Sequence, residues 1–391
     1  MNPHDTSAGS QPLQSLRILD FSRVLAGPYC TAMMADLGAE VIKVESSLGD
    51  DYRHIGPFKD DESLLFQSVN RGKKSIVLDL KSEAGVEQAR QLAGECDVLV
   101  ENFRPGVMQR LGLGPDELRE QFPQLIYVSV SGFGQSGPNE SLPAYDIIIQ
   151  AMSGLMDVTG EADGSPMMVG DAIADVAGGM FAAFGTMVAL FQRNQTGNGS
   201  HVDLALYDSL LAMMPIVACR VLMAGQSPTR TGNRHALSAP FGSYQAKDGY
   251  FTVAVLNDRL FKSFAEVLGQ PELTEDPRFT SDELRRANEP ALATIIESWA
   301  QSHNAESVVE QLSNAGIPAS LLQTAQQAWA SPQAKVRQLA PPVQHPVLGE
   351  LLIPEQPVHF SDTSRGHRKA APELGADTDD ILATLKTGAS S

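Results

Sequence analysis

The sequence predicts an α/β protein, with a first part built on a mostly parallel sheet and a smaller second unit behind it. Between residues 16 and 130, short apolar runs alternate with stretches of helical periodicity. Strands separated by helices make βαβ units, and such units make parallel sheets. Frequent turn residues, 24 prolines and 33 glycines in 391, punctuate the pattern.

The elements follow in order. Leu16-Arg17-Ile18-Leu19-Asp20-Phe21 reads as a buried strand. Gly27-Pro28 opens a helix that runs to residue 37, with proline tolerated in the first turn and Gly38 closing it. Residues 40–45 form a second strand, 75–80 a third, 97–100 a fourth and 125–130 a fifth. Residues 81–94 are an amphipathic helix. Ligands of such sheets sit beyond the carboxyl ends of the strands. The loops after Phe21, Val44, Val100 and Val130 are therefore the places to search. Two helical stretches rich in small residues follow, at 173–192 and 204–224. Residues 225–240 lack periodicity and mark a boundary and a mobile loop. Asp248-Gly249, followed by Tyr250-Phe251-Thr252-Val253-Ala254-Val255, starts a new α/β unit that runs to about 322. Beyond about 325 the chain is Pro-rich and extended. The expected division is 1–224, a large domain; 225–325, a small domain; and 326–391, a strap returning to the large one.

Composition narrows the function. A formal net charge of −18 opposes nucleic-acid binding, which needs a basic face. Cys30, Cys96 and Cys219 are isolated, so reduced thiols are expected. The eight histidines form no HxH or HxxxH pair, so no metal site is expected. No uninterrupted run of 18 apolar residues appears, and residues 1–13 lack an apolar signal region. The expectation is a cytoplasmic enzyme without a membrane partner.

Asp175 is the leading catalytic candidate. It stands before Gly178-Gly179 and a long apolar helical run. Small neighbours would leave space around it, and apolar ones would strip water from the carboxylate and sharpen it as a nucleophile. A helix N-terminus there would offer amide donors to an oxyanion. The competing reading is an Asp that simply caps a buried helix.

Two loops concentrate positive charge: Asn70-Arg71-Gly72-Lys73-Lys74-Ser75, and Asn102-Phe103-Arg104-Pro105-Gly106 on to Arg110. Cations at strand ends of an acidic protein suit a bound polyanion, though solvated loops would look the same. Gly132-Phe133-Gly134-Gln135-Ser136-Gly137 matches GxGxxG after a strand. The dinucleotide fingerprint also needs a helix opening at the glycines, and Pro138-Asn139-Glu140-Ser141-Leu142-Pro143 follows instead. A loop bringing its backbone near a substrate, with Gly134 at its centre, is preferred to a nicotinamide or flavin site.

These segments together resemble the class III CoA-transferases, the family of formyl-CoA transferase and carnitine CoA-transferase. The resemblance rests on Asp20-Phe21-Ser22-Arg23-Val24-Leu25-Ala26-Gly27-Pro28, Asp36 to Glu45, the two basic loops, Ser131-Gly132-Phe133-Gly134, Tyr145-Asp146, Ala174-Asp175-Val176 with Gly179, Asp276-Pro277-Arg278-Phe279 and Gly316-Ile317-Pro318. It spans about residues 15–385. It implies that Asp175 is the nucleophile and that Val24, Ala26, Lys73, Asn102, Phe103 and Arg110 line a CoA site. Arg71, Lys74, Arg104 and Tyr145 join that set as candidates. The resemblance also implies a Rossmann-like large domain, a small domain, and an interlocked, ring-like homodimer. Leu25 stands where the formyl-CoA enzyme has glutamine, and Ser46 where it has a basic residue. The glycine-rich lid of that enzyme is reduced here to Gly232-Asn233-Arg234-His235.

The same fold serves α-methylacyl-CoA racemases, which carry histidine at the place of Tyr145. A phenol with an unperturbed pKa of about 10 is a poor second acid/base, so transfer is preferred to racemisation. The expected reaction moves CoA from an acyl-CoA, such as succinyl-CoA, to a free carboxylic acid. Acyl-CoA enters as substrate; no permanently bound cofactor is expected. Arg23 and Arg234 are candidates to pair with a second carboxylate of a short dicarboxylic acid, with His235 beside them. A CoA-binding protein without catalysis is the remaining alternative.

Overall fold

The computed structural model describes residues 11–361, 363 and 369–385. The chain divides into two compact units. The first comprises Met1–Leu155, Met168–Gly225 and Lys335–Ser391; the second comprises Met156–Met167 and Gln226–Ala334.

The first unit carries a six-stranded sheet: β1 (Arg17–Asp20), β2 (Glu40–Glu45), β3 (Lys74–Val77), β4 (Val98–Glu101), β5 (Ile126–Ser131) and β6 (His201–Ala205). The strands are all parallel, in the order β3-β2-β1-β4-β5-β6. That is a doubly wound, Rossmann-like order, with its reversal between β1 and β4. Alternate residues of each strand feed opposite faces. Ile18, Val41, Val98, Val100, Ile126 and Val128 pack under α1 (Ala26–Asp36) and the later helix Ile173–Thr196. Leu19, Ile42, Leu99 and Tyr127 pack on the other side with Ala89 and Leu92 of α3 (Glu83–Gly94) and Leu118 of α4 (Pro115–Gln121). Strands buried on both faces read as continuous apolar runs, which is why the sequence announces them.

Three more helices complete the frame. α2 (Leu64–Asn70) leads into β3, α5 (Asp146–Met152) follows β5, and α6 (Ile173–Thr196) crosses the sheet. The expected helix over 204–224 is different in the structure. Its start belongs to β6, which pairs with β5 from Tyr127↔His201 to Ser131↔Ala205. α7 (Leu206–Ala212) follows, and Pro215 starts a separate short helix, since proline cannot continue one. The C-terminal segment covers the exposed edge of β3. Asp377 N–H donates to the Ser75 carbonyl at 2.9 Å, and Val77 N–H to Thr378 Oγ1 at 3.0 Å.

The second unit differs from an α/β expectation in one respect. Its sheet is antiparallel, β7 (Phe241–Gln245) and β8 (Tyr250–Ala254) with β9 (Ala319–Leu321), in the order β9-β8-β7. α8 (Asp258–Val267), α9 (Glu289–Ala300) and α10 (Ala305–Asn314) close its core around Phe251, Phe261, Phe264 and Ile296. The buried Arg285 ties that core, donating to the Ala239 and Phe279 carbonyls and pairing with Asp258 at 3.0 Å. Met156–Met167 groups with this unit, not with the first domain. So does the short helix Ala325–Ala330, fixed by a Thr324/Gln327 capping box, so the returning segment starts at Lys335 and not at 326.

Candidate active site

Because the strand order reverses between β1 and β4, the loops that leave them diverge and open a crevice at their carboxyl ends. A cavity of about 540 Å³ lies there, entirely within the first unit. Its walls come from the β1 loop and start of α1 (Arg23, Val24, Leu25, Ala26), the β4 loop (Asn102, Phe103, Arg104), the segment after β5 (Ser131, Gly132, Glu140, Tyr145), and Asp175.

The β1 loop is held residue by residue. Asn102 clasps Arg23: its Oδ1 accepts from Arg23 N–H at 2.8 Å, and its Nδ2 donates to the Arg23 carbonyl at 2.7 Å. Val24 N–H donates to Asp50 Oδ1 at 3.1 Å, and Val24 itself sits at φ +68°. The Arg23 guanidinium lies 5.4 Å from the Phe103 ring centroid and 3.6 Å from Asp51. Phe103 N–H donates to Glu101 Oε2 at 2.8 Å. Burial pushes the Glu101 carboxyl up to about 7, against the bonds from Ser129 and from the Phe103 amide.

Asp175 occupies the third position of α6; Ala172 is the N-cap and makes no side-chain cap bond. The cap comes from elsewhere. Asp146 Oδ1, at the start of α5, accepts from Ala174 N–H at 2.6 Å and Asp175 N–H at 3.3 Å. Gln150 fixes Asp146 by donating to its Oδ2 at 2.6 Å, and accepts from Val169 N–H at 2.9 Å. The Asp175 side chain is thereby free of capping duty. Burial, then the charge of Asp146, pushes its carboxyl up to about 7. Two expectations are corrected. The N-terminal amides of α6 are not available to an oxyanion: Ile173 N–H goes to the Asp171 carbonyl, Val176 N–H to that of Ala172, and the two between them to Asp146. Nor does the Gly178-Gly179 pair leave space. A Cβ on Gly179 would stand 2.7 Å from the Ala26 carbonyl, and one on Gly178 2.2 Å from Leu206 Cδ2. The glycines let α6 close on α1 and α7, and that contact sets the position of Asp175.

The structure brings together Arg23, Val24, Ala26, Asn102, Phe103, Arg104, Tyr145 and Asp175. It does not bring in the rest. Lys73 Nζ is fully buried on Asp20 Oδ2 (2.9 Å), Asn70 Oδ1 (2.9 Å) and the Pro28 carbonyl (3.0 Å). Burial opposes ionisation of Asp20, but Lys73, Lys43 and the Ser22 and Thr31 hydroxyls outweigh it and hold the carboxyl near 2. Arg71 forks onto both oxygens of Asp36 at 2.9 and 2.6 Å. Lys74 pairs with Glu40 at 2.5 Å. Arg110 is exposed and is not among the cavity walls. Gly134, at φ +87°, also stands outside the walls, donating to Ser131 Oγ at 3.0 Å. Among the described residues no helix begins between Gly132 and Asp146, so the structural context of a dinucleotide fingerprint is missing.

Arg234 and His235 lie in the second unit and are already engaged. Arg234 Nε is 2.6 Å from Glu289, its Nη2 3.6 Å from Glu297, and its guanidinium lies 4.1 Å from the Tyr244 ring centroid. Both pairs lie within the second unit, and Arg234 is not among the cavity walls. The His235 ring stacks on Phe241 at 4.6 Å, and its Nδ1 accepts from Leu237 N–H. The sequence reading missed Asp51, Glu140 and Tyr52. Burial, then the charges of Asp175, Asp50, Asp171 and Asp146, push the Tyr52 phenol up to about 12, which places it in the field of Asp175. The signal for the first and third was available: Gly49-Asp50-Asp51 follows β2, at one of the strand ends marked for search.

Comparison with known proteins agrees with this geometry. Residues 13–378 match the model of CoA-transferase family III. The chain is 42% identical to an acetyl-CoA:oxalate CoA-transferase of Acetobacter aceti, over 93% of both chains. It is 37% identical to a succinyl-CoA:glutarate CoA-transferase of Mus musculus, over 97% of this chain and 88% of that one. It is 35% identical to a succinyl-CoA:mesaconate CoA-transferase of Haloarcula hispanica, over 95% of both. Among solved structures, a CAIB/BAIF family protein of Brucella suis superposes with a TM-score of 0.84 at 36% identity, covering 96% of this chain and all of that one. A parallel sheet with a crevice at its reversal point, a desolvated aspartate on the crevice wall and a family match across nearly the whole length converge: the chain belongs to CoA-transferase family III and is a CoA-transferase.

Proposed function

We propose that this enzyme moves CoA from an acyl-CoA to a short dicarboxylic acid through covalent intermediates on Asp175. The observation that carries the mechanism is the placement of Asp175. Its carboxylate borders the crevice, free of capping bonds and partly desolvated. A carboxylate stripped of water attacks an acyl carbon more readily than a hydrated one. In the first step Asp175 attacks the thioester carbonyl, the C–S bond breaks, and CoA leaves as thiolate. The product is a mixed anhydride. The thiolate then attacks the aspartyl carbonyl, giving an aspartyl–CoA thioester and releasing the first acid. The acceptor carboxylate attacks that thioester, and the same two steps run in reverse. No proton or redox partner is needed, because every nucleophile and every leaving group in the sequence is an anion, a carboxylate or the CoA thiolate.

Arg104 and Arg23 are the cations on the crevice walls and take the anionic parts of the substrates. Asn102, Phe103, Val24 and Ala26 hold the CoA chain, and Tyr145, 71% exposed, borders the acid. The dicarboxylate preference rests on relatives named for oxalate, glutarate and mesaconate, and on Arg23 beside the nucleophile's crevice. We also propose a homodimer, and a cytoplasmic setting where exposed Cys219 stays reduced. An acid screen tests the substrate class. With succinyl-CoA as donor, oxalate, glutarate or mesaconate should be converted at least about tenfold more efficiently than butyrate, the worth of one charge-assisted pair. Equal rates for butyrate and glutarate would remove the dicarboxylate assignment.

A further inference from the structure

Among the described residues, Val24 is the only β-branched one in the left-handed region, at φ +68°. Such a backbone persists only where its surroundings over-determine it, and it tends to mark functional sites. The surroundings here do so. Ser22 N–H donates to Asp20 Oδ1 at 2.9 Å, and the Ser22 carbonyl accepts from Lys43 Nζ at 2.7 Å. Asn102 takes both backbone groups of Arg23. Asp50 Oδ1 takes Val24 N–H and, at 2.9 Å, Tyr52 N–H. The other Asp50 oxygen faces Lys43 Nζ at 2.8 Å, with both side chains fully buried. Glu45 holds Asp50 in turn, accepting its N–H at 2.9 Å. A buried ion pair adds little net stability compared with apolar residues of the same size. Its distinctive effect is to fix position, and what it fixes is the first loop of the crevice. Lys43 and Asp50 stand behind the crevice and are not among its walls.

We propose that the Lys43–Asp50 pair is a positioning device for acyl-CoA binding. It holds the turn from Ser22 to Val24 so that Arg23, Val24 and Ala26 present one rigid wall to the substrate. This rests on the functional reading above. Two further facts suit it. The pair reaches the loop at two points, one through each partner. Tyr52, anchored by the same oxygen, lies in the field of Asp175, so one carboxylate sets both a wall of the crevice and a neighbour of the nucleophile.

The test measures succinyl-CoA kinetics and, separately, CoA affinity by calorimetry. Asp50→Asn should raise the KM for succinyl-CoA by about tenfold and weaken CoA binding in parallel, with kcat changed less than about threefold. Glycine reaches positive φ unaided. In a Val24→Gly background, therefore, Asp50→Asn should cost less than about threefold in KM. Because Asp50→Asn leaves Lys43 unpaired in the core, the double variant Lys43→Met/Asp50→Leu, which leaves no buried charge, serves if the single one does not fold. It should melt near the parent temperature and still bind CoA weakly. Unchanged KM and CoA affinity in these variants would overturn the proposal, as would an equal loss with and without Val24→Gly. A parent chain that binds no CoA overturns the functional reading itself; a parent that binds CoA no better than Asp50→Asn overturns only this inference.

Discussion

At Asp175 the same two influences that raise the carboxyl to about 7, burial and the Asp146 charge, set the pH at which the carboxylate is present. In the proposed mechanism the attacking species is the carboxylate. Below about 7 the group is mostly protonated, so kcat/KM should fall about tenfold for each pH unit of acidification. Asp146→Asn keeps an oxygen for the α6 amides and removes the charge. It should therefore move the acid limb to lower pH without abolishing turnover. A limb that stays in place in a pH–rate profile would remove Asp146 from the tuning of Asp175. The sequence made Asp175 legible through its motif, whereas its cap was not, because Asp146 lies 28 residues from Ala174. The same distance effect misled the reading of the cations. Lys73 pairs with Asp20, 53 residues away, Arg71 with Asp36, 35 away, and Arg234 with Glu289, 55 away. A positive loop in sequence looks identical whether its partner is a phosphate or a distant carboxylate of the same chain.

Among the elements, β1 to β5 were legible because strands buried on two faces leave unbroken apolar runs. β6 was not. His201-Val202-Asp203-Leu204-Ala205 is a short edge strand with a charge inside it, and its pairing with β5 is decided by tertiary contact. α6 was legible as a helix, yet its two faces do different things. Ala174, Ala177, Ala182 and Ala189 face the core, while Met180, Phe184, Val188 and Phe191 form an outward stripe, each half or more exposed. An exposed apolar stripe of that length is a surface that a second copy of the chain would cover, and it supports the proposed homodimer. Phe184→Glu/Phe191→Glu should shift the protein from dimer to monomer in sedimentation analysis. A parent that sediments as a monomer, or a double variant that stays dimeric, would remove α6 from the interface.

In the whole molecule, a net charge of −18 coexists with a crevice that presents Arg23 and Arg104, so the positive charge the proposed anionic substrates would meet is local and not global. By length and composition α6 could cross a membrane, but half of its apolar stretch is buried in the fold, and its first turn carries Asp175. The central claim, covalent catalysis by Asp175, is tested most directly by peptide mass spectrometry after incubation with succinyl-CoA and acid quenching. The account predicts a CoA adduct on the peptide that contains Asp175, its loss on addition of glutarate, and neither adduct nor exchange in a folded Asp175→Ala variant. Continued CoA exchange by that variant, or full turnover by the parent with no adduct at Asp175, would contradict it.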